Sequence, residues 1–142
     1  MAAESRQRST VVVVDADPVG RHAVERILQR AGYEVVAVSS FPAAKRLLDD
    51  QAVRLLITSV KLGAYNGLHL ILRTQAQRPD IATVLTTVGP DPVLERDVRR
   101  QGVTCLAKPF TSAALLDAIS RSQRSRPVDG ASPGPSAVTD IP

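Results

Sequence analysis

Runs of apolar, β-branched residues alternate along this chain with segments whose apolar residues return every three or four positions. Runs of the first kind read as strands buried on both faces, and segments of the second kind as helices packed along one stripe. Thr10–Val14 is the first predicted strand. Asp17 stands as the cap of a helix opening at Pro18, where the fixed ring suits the first turn. Ala23, Ile27 and Ala31, with Val24 and Leu28, form its stripe, and Gly32 ends it. Glu34–Val38 follows as a strand and Pro42–Asp50 as a helix buried through Ala44, Leu47 and Leu48. Arg54–Val60 predicts a third strand around Leu55, Leu56 and Ile57, and Gly67–Gln77 a helix facing inward with Leu68, Ile71 and Leu72. Thr83–Thr87, Pro92–Arg100, Val103–Ala107 and Ser112–Arg121 continue as strand, helix, strand and helix. Thr111 or Ser112 caps the last of these, and Leu115, Ala118 and Ile119 form its core face.

Strands that alternate with helices in this way predict an α/β fold, a parallel sheet with helices on both faces. Right-handed crossovers leave few topologies. The expected one is the flavodoxin-like (βα)5 doubly wound sheet with strand order 2-1-3-4-5. Its site lies at the carboxyl ends of strands one and three.

Composition narrows the picture. The chain has 142 residues, 44% of them hydrophobic, with no Trp, two Tyr and two Phe. Its core must therefore come from Val, Leu, Ile and Ala. A single cysteine, Cys105, excludes an internal disulfide and fits a reducing compartment. The first ten residues carry no apolar leader segment, and Val11 to Val14 is far shorter than the roughly 20 residues of a membrane helix. A cytoplasmic protein without a membrane partner is expected. Residues 1–8 are expected to be a flexible N-terminus and 9–122 one folded domain. Residues 123–142, interrupted by Pro127, Pro133, Pro135 and Pro142, are expected to be a disordered tail rather than a second domain. Net charge is +4, but no basic motif interleaved with aromatics appears, so no nucleic-acid partner is expected.

Candidate chemistry lies where the strands end. Strand one ends in Asp15-Ala16-Asp17, strand three in Thr58-Ser59, strand four in Thr86-Thr87 and strand five in Ala107-Lys108-Pro109. The crevice thus gathers carboxylates, hydroxyls and one ammonium. Lys108 follows an apolar strand and needs a partner, and Asp15 is the nearest candidate. His22 and His69 fall on helices and read as solvated.

These segments resemble the receiver domains of response regulators. VVVVDADPVGR is similar to the first strand with its acidic pair, and LLITSVKLGAYNGLHLI to the phosphoacceptor strand and its loop. TVLTT is similar to the fourth strand, and LAKPF to the Lys-Pro motif of the fifth. The resemblance implies a two-component phosphorelay protein, not an enzyme, meeting a histidine kinase or a downstream effector. It implies Asp15 as the first acid of the pair, Thr87 as the switch hydroxyl and Lys108 as the phosphate-contacting lysine. It also implies Pro109 as a candidate cis residue.

Three positions depart from the family pattern: Ser59 for the acceptor aspartate, Ala16 for the second acid, and Cys105 for the aromatic switch. Asp17 shares the acidic pocket but is read as a cap. Magnesium is usually held by one or two carboxylates plus substrate phosphate. With two carboxylates lost, no cofactor is expected, and magnesium binding through Asp15 should be weak or absent. A serine hydroxyl lacks the anionic character of an acceptor carboxylate. The expectation is an atypical single-domain receiver that works by protein contacts. Arg96, Arg99, Arg100 and Arg121, on the helix 4–strand 5–helix 5 face, are the candidate partner surface, for an acidic protein or for a homodimer. Two other readings stay open: a regulator phosphorylated on a different residue, and a flavodoxin-like small-molecule binder.

Overall fold

The computed structural model describes residues 9–125. Five parallel strands, β1 (Thr10–Val14), β2 (Glu34–Val38), β3 (Val53–Ser59), β4 (Ala82–Thr87) and β5 (Thr104–Ala107), form one sheet. Their spatial order is β2-β1-β3-β4-β5, the expected flavodoxin-like arrangement. The helices between and after them are α1 (Pro18–Arg30), α2 (Phe41–Leu47), α3 (Gly67–Gln77), α4 (Pro92–Arg99) and α5 (Ser112–Ser125).

Alternation along the strands divides the core in two, because successive side chains point to opposite faces. Val12, Val14, Leu56 and Leu85 face Ala44, Leu70, Ile71 and Val98, from α2, α3 and α4. Val11, Val13, Leu55 and Ile57 face Val24, Leu28, Leu115, Ala118 and Ile119, from α1 and α5. Leu56 and Ile57, adjacent in β3, thus serve opposite layers, and full burial of such side chains contributes about 1.5–3 kcal/mol each.

Side-chain caps start the helices. Asp17 accepts from the Val19 and Gly20 amides, Ser40 from Ala43 and Asn66 from Leu68. Asp91 accepts from Leu94 and Thr111, rather than Ser112, from Ala114. Gly32 takes φ +99° just past α1, a conformation that side chains strain to adopt.

Several local expectations are corrected. Ala23 and Ala31 are exposed, and the buried stripe of α1 is Val24 and Leu28. Helix α3 buries Leu70, Ile71 and Thr74, whereas Leu68 and Leu72 are only half-buried. Helix α2 ends at Leu47, not Asp50. There the Arg78 guanidinium takes the Leu48, Asp50 and Val53 carbonyls as well as the Asp80 carboxylate. Helix α5 continues past Arg121 to Ser125, burying Ser122, whose hydroxyl donates to the Ile119 carbonyl. Residues 123–125 are therefore helical, not tail. A short antiparallel ladder, Lys61–Leu62 with Tyr65–Asn66, fills the β3–α3 connection, with Phe41 and Tyr65 stacked at 4.9 Å. The expectations for residues 1–8 and 126–142 lie outside the described residues.

Candidate functional site

Parallel register brings the chemical residues to one edge. Val14 pairs with both Val38 and Thr58, Ser59 with Thr86, and Thr87 with Ala107. Asp15, Ser59, Thr87 and Lys108 therefore meet at the carboxyl ends of β1, β3, β4 and β5. They line a crevice of about 280 Å3 together with Ala16 and Asp17.

Lys108 and Asp15 form the expected pair. Nζ donates to Asp15 Oδ2 at 2.7 Å, and the Asp15 side chain is 8% exposed. The other oxygen, Oδ1, accepts from the Asp17 amide at 2.9 Å, while Arg21 donates to the Asp15 carbonyl. Both carboxylate oxygens of Asp15 are thus engaged. Asp17 serves α1 as its cap, and the positive end of that helix favours both carboxylates. A Cβ on Gly20 would stand 3.2 Å from Asp15 Oδ2 and from Asp17 Oδ2, so α1 presses closely on the pair. Pro109 follows Lys108 in a cis peptide bond.

Both hydroxyls are bonded to backbone carbonyls of the loops that follow their strands. Ser59 Oγ donates to the Lys61 carbonyl at 3.1 Å, and Thr87 Oγ1 to the Gly89 carbonyl at 2.6 Å. With the Asp15–Asp17 contact, three strand ends each tie their side chain to the backbone two residues on, a local bond that short polar side chains form readily. Neither hydroxyl contact was legible in the sequence, since each depends on the path of a loop. Gly67 packs tightly against the end of β3. Its amide donates to the Val60 carbonyl at 2.7 Å, and a Cβ there would collide with the Ser59 carbonyl oxygen.

The second candidate surface lies between α4, β5 and α5, where Arg99, Arg121, Glu95 and Cys105 border a cavity of about 570 Å3. Arg124, not singled out in the sequence, lines it too, because α5 runs one turn longer than expected. Arg96 on α4 and Arg100, the residue that caps its C-terminus, are exposed but do not line the cavity. Burial, and secondly the Glu95 and Asp91 carboxylates, push the Cys105 thiol up to about 11, with Arg99 opposing. His22 and His69 are exposed and do not line the crevice.

No helix among the described residues is long and apolar enough to cross a membrane. Residues 11–120 match the family model described as the response regulator receiver domain. The response regulator protein FleR of Pseudomonas aeruginosa is 32% identical over 112 residues, covering 78% of this chain and 24% of that protein. The DNA-binding transcriptional regulator NtrC of Azospirillum brasilense is 27% identical over 133 residues, covering 93% and 28%. The chain thus spans about a quarter of the length of the curated relatives it matches. A response regulator receiver domain protein from Clostridium thermocellum superposes with a TM-score of 0.74 at 21% identity, covering 82% of this chain and 94% of that one. The chemotaxis response regulator CheY4 of Vibrio cholerae does so with 0.70 at 25% identity, covering 81% and 98%.

Proposed function

This chain belongs to the response regulator receiver domain family, and from that premise we propose that it is an atypical receiver, signalling in the cytoplasm through protein contacts without phosphorylation of an aspartate. Receiver domains are signalling modules that meet histidine kinases and effectors. The resemblance assigns the acceptor position to Ser59 and the second-acid position to Ala16, and neither side chain is a carboxylate.

The observation that carries the reading is how the crevice polar groups are spent. Lys108 occupies Asp15 at 2.7 Å, the Ser59 hydroxyl is held by the Lys61 carbonyl, and the Thr87 hydroxyl by the Gly89 carbonyl. The family implies a magnesium ion here. This donor set does not fit one: Asp15 is engaged at both oxygens and Asp17 caps α1. No group of three or more His, Cys, Asp or Glu suited to a metal occurs among the described residues. Ser59 has no histidine beside it to act as base, which supports a site that does not take a phosphoryl group. The arginine-bearing face of α4, β5 and α5 is the surface offered to an acidic partner or a second copy.

Incubation with acetyl phosphate and magnesium, followed by intact-mass measurement, tests this. The expected result is no added mass and no saturable magnesium effect on Tm. A gain of one phosphoryl group would replace this reading with a regulator that uses another acceptor residue.

A further inference from the structure

Among the described residues β5 pairs with β4 alone, so its outer edge carries no strand. Successive N–H groups of a strand point to opposite sides. The Lys108 amide donates to the Thr87 carbonyl of β4, so Cys105 and Ala107 send their N–H and C=O groups outward. Val103, in the same phase, donates to the Val98 carbonyl instead of to β4. An unpaired edge of this kind is a template for an added strand. Thr104 and Cys105 also line the cavity of about 570 Å3, with Val103 just before the strand, Arg99 of α4 and Arg124 of α5.

The chain itself supplies an occupant. Helix α5 starts at the carboxyl edge and runs back for 14 residues, about 21 Å, so it ends toward the amino end of β5. Residues 126–142 follow it. Pro127, Pro133 and Pro135 cannot donate to a ladder. Ser136–Ile141 contains neither proline nor glycine and carries three β-branched residues, Val138, Thr139 and Ile141. Handedness sets the direction. Helix α4 covers one face of the sheet and α5 the other. The right-handed step from β4 to β5 uses the α4 face, so a parallel strand reached through α5 would make a left-handed crossover, which sheets avoid. The added strand is therefore antiparallel, a common arrangement at the edge of a parallel sheet. Residues 126–135 must then cross to the carboxyl end of β5. Extended, they reach about 33 Å, whereas β5 spans about 13 Å. Charge agrees with this placement: residues 126–142 hold Asp129 and Asp140 against Arg126, while the cavity lining holds Arg99, Arg121 and Arg124 against Glu95.

We propose that Ser136–Ile141 adds to β5 as an antiparallel edge strand, so that the chain covers its own α4–β5–α5 face. While docked, the segment withholds this face from an acidic partner. The strand addition is independent of how the crevice is used, and only its inhibitory consequence rests on the reading of this face as a partner surface.

The test is amide hydrogen exchange of the full chain, resolved by NMR. Rates for the Cys105 and Ala107 amides are divided by that of the Val13 amide in β1. Both ratios should be about tenfold lower in the parent than in Val138→Pro with Thr139→Pro, as expected for a tethered segment that is docked most of the time. The paired prolines remove a ladder donor in either register, and both positions lie beyond α5. A glutamate-rich peptide should bind the proline variant about tenfold more tightly than the parent, since the parent must first release its own segment. Equal ratios in the two proteins overturn the proposal. If such equal ratios both fall on adding the peptide, the edge belongs to a protein partner instead. Protection that rises with protein concentration, together with a mass of two chains in solution, also overturns it and assigns the edge to a second copy. Protection in the parent without peptide binding to either protein upholds the strand and removes the acidic partner.

Discussion

Lys108 Nζ lies 2.7 Å from Asp15 Oδ2 and joins the ends of β5 and β1, 93 positions apart in sequence. The contact is partly buried, so removing either member leaves the other short of solvent and short of a partner. Asp15→Asn or Lys108→Met should each cost about 1–3 kcal/mol, the usual cost of an orphaned polar group. The double variant should cost less than the sum by about 1 kcal/mol, as coupled neighbours do. Urea midpoints of the four proteins measure this. Strict additivity would show that the pair contributes no coupling.

Restoring the lost acids examines the same crevice from the other side. Ser59→Asp with Ala16→Asp would bring carboxylates to three positions beside Lys108. The crevice is open to water, so the desolvation cost should be tolerable. The double variant should gain a saturable magnesium-dependent rise in Tm and accept one phosphoryl group from acetyl phosphate. Ser59→Asp alone should do so weakly. A folded double variant that does neither would mean that the crevice no longer has the receiver arrangement.

Gly67 is required by contact rather than by backbone angle. A Cβ there would overlap the Ser59 carbonyl oxygen and stand 2.8 Å from Thr58 Oγ1. Gly67→Ala should cost about 1–3 kcal/mol through overpacking. Gly89 has nothing within 4 Å of a built Cβ, so Gly89→Ala should stay within about 0.5 kcal/mol of the parent. Equal effects in thermal or urea unfolding would contradict the close approach of α3 to β3.

Cys105 supplies a pH dependence with a definite sign. Its thiol is raised from 9.0 to about 11 in the fold, chiefly by burial. The unfolded chain therefore loses this proton first as pH rises. The stability linked to the thiol is full below about 9 and is lost as pH climbs through about 11. Urea midpoints should decline over that window, and Cys105→Ser should flatten the decline. An unchanged slope in the variant would show that the thiol titrates alike in both states.

Much of this was written locally in the chain. The run Thr10–Val14, the cap Asp17 before Pro18 and the breaker Gly32 fall where hydrophobic period and turn chemistry put them. The Lys108–Asp15 pair was legible because both residues directly follow apolar strands, and parallel register sends such positions to one edge. The faces of the helices were less legible. Ala23 and Ala31 fit a stripe by spacing, yet they are exposed. A small apolar residue carries little burial energy, so Val24 and Leu28 set the rotation of α1.

By itself the sequence determined the order of elements, the parallel sheet, the capping residues and the set of side chains at the carboxyl edge, because each follows from short-range periodicity and chain direction. Tertiary structure decided what those side chains do. The Ser59 and Thr87 hydroxyls bond to loop carbonyls whose position depends on the turns after β3 and β4. Arg78 gathers carbonyls 25 to 30 positions away. Arg124 joins Arg99 and Cys105 only because α5 extends and packs alongside β5. These are long-range or loop-dependent contacts, and their geometry exists only once the sheet has brought distant segments together.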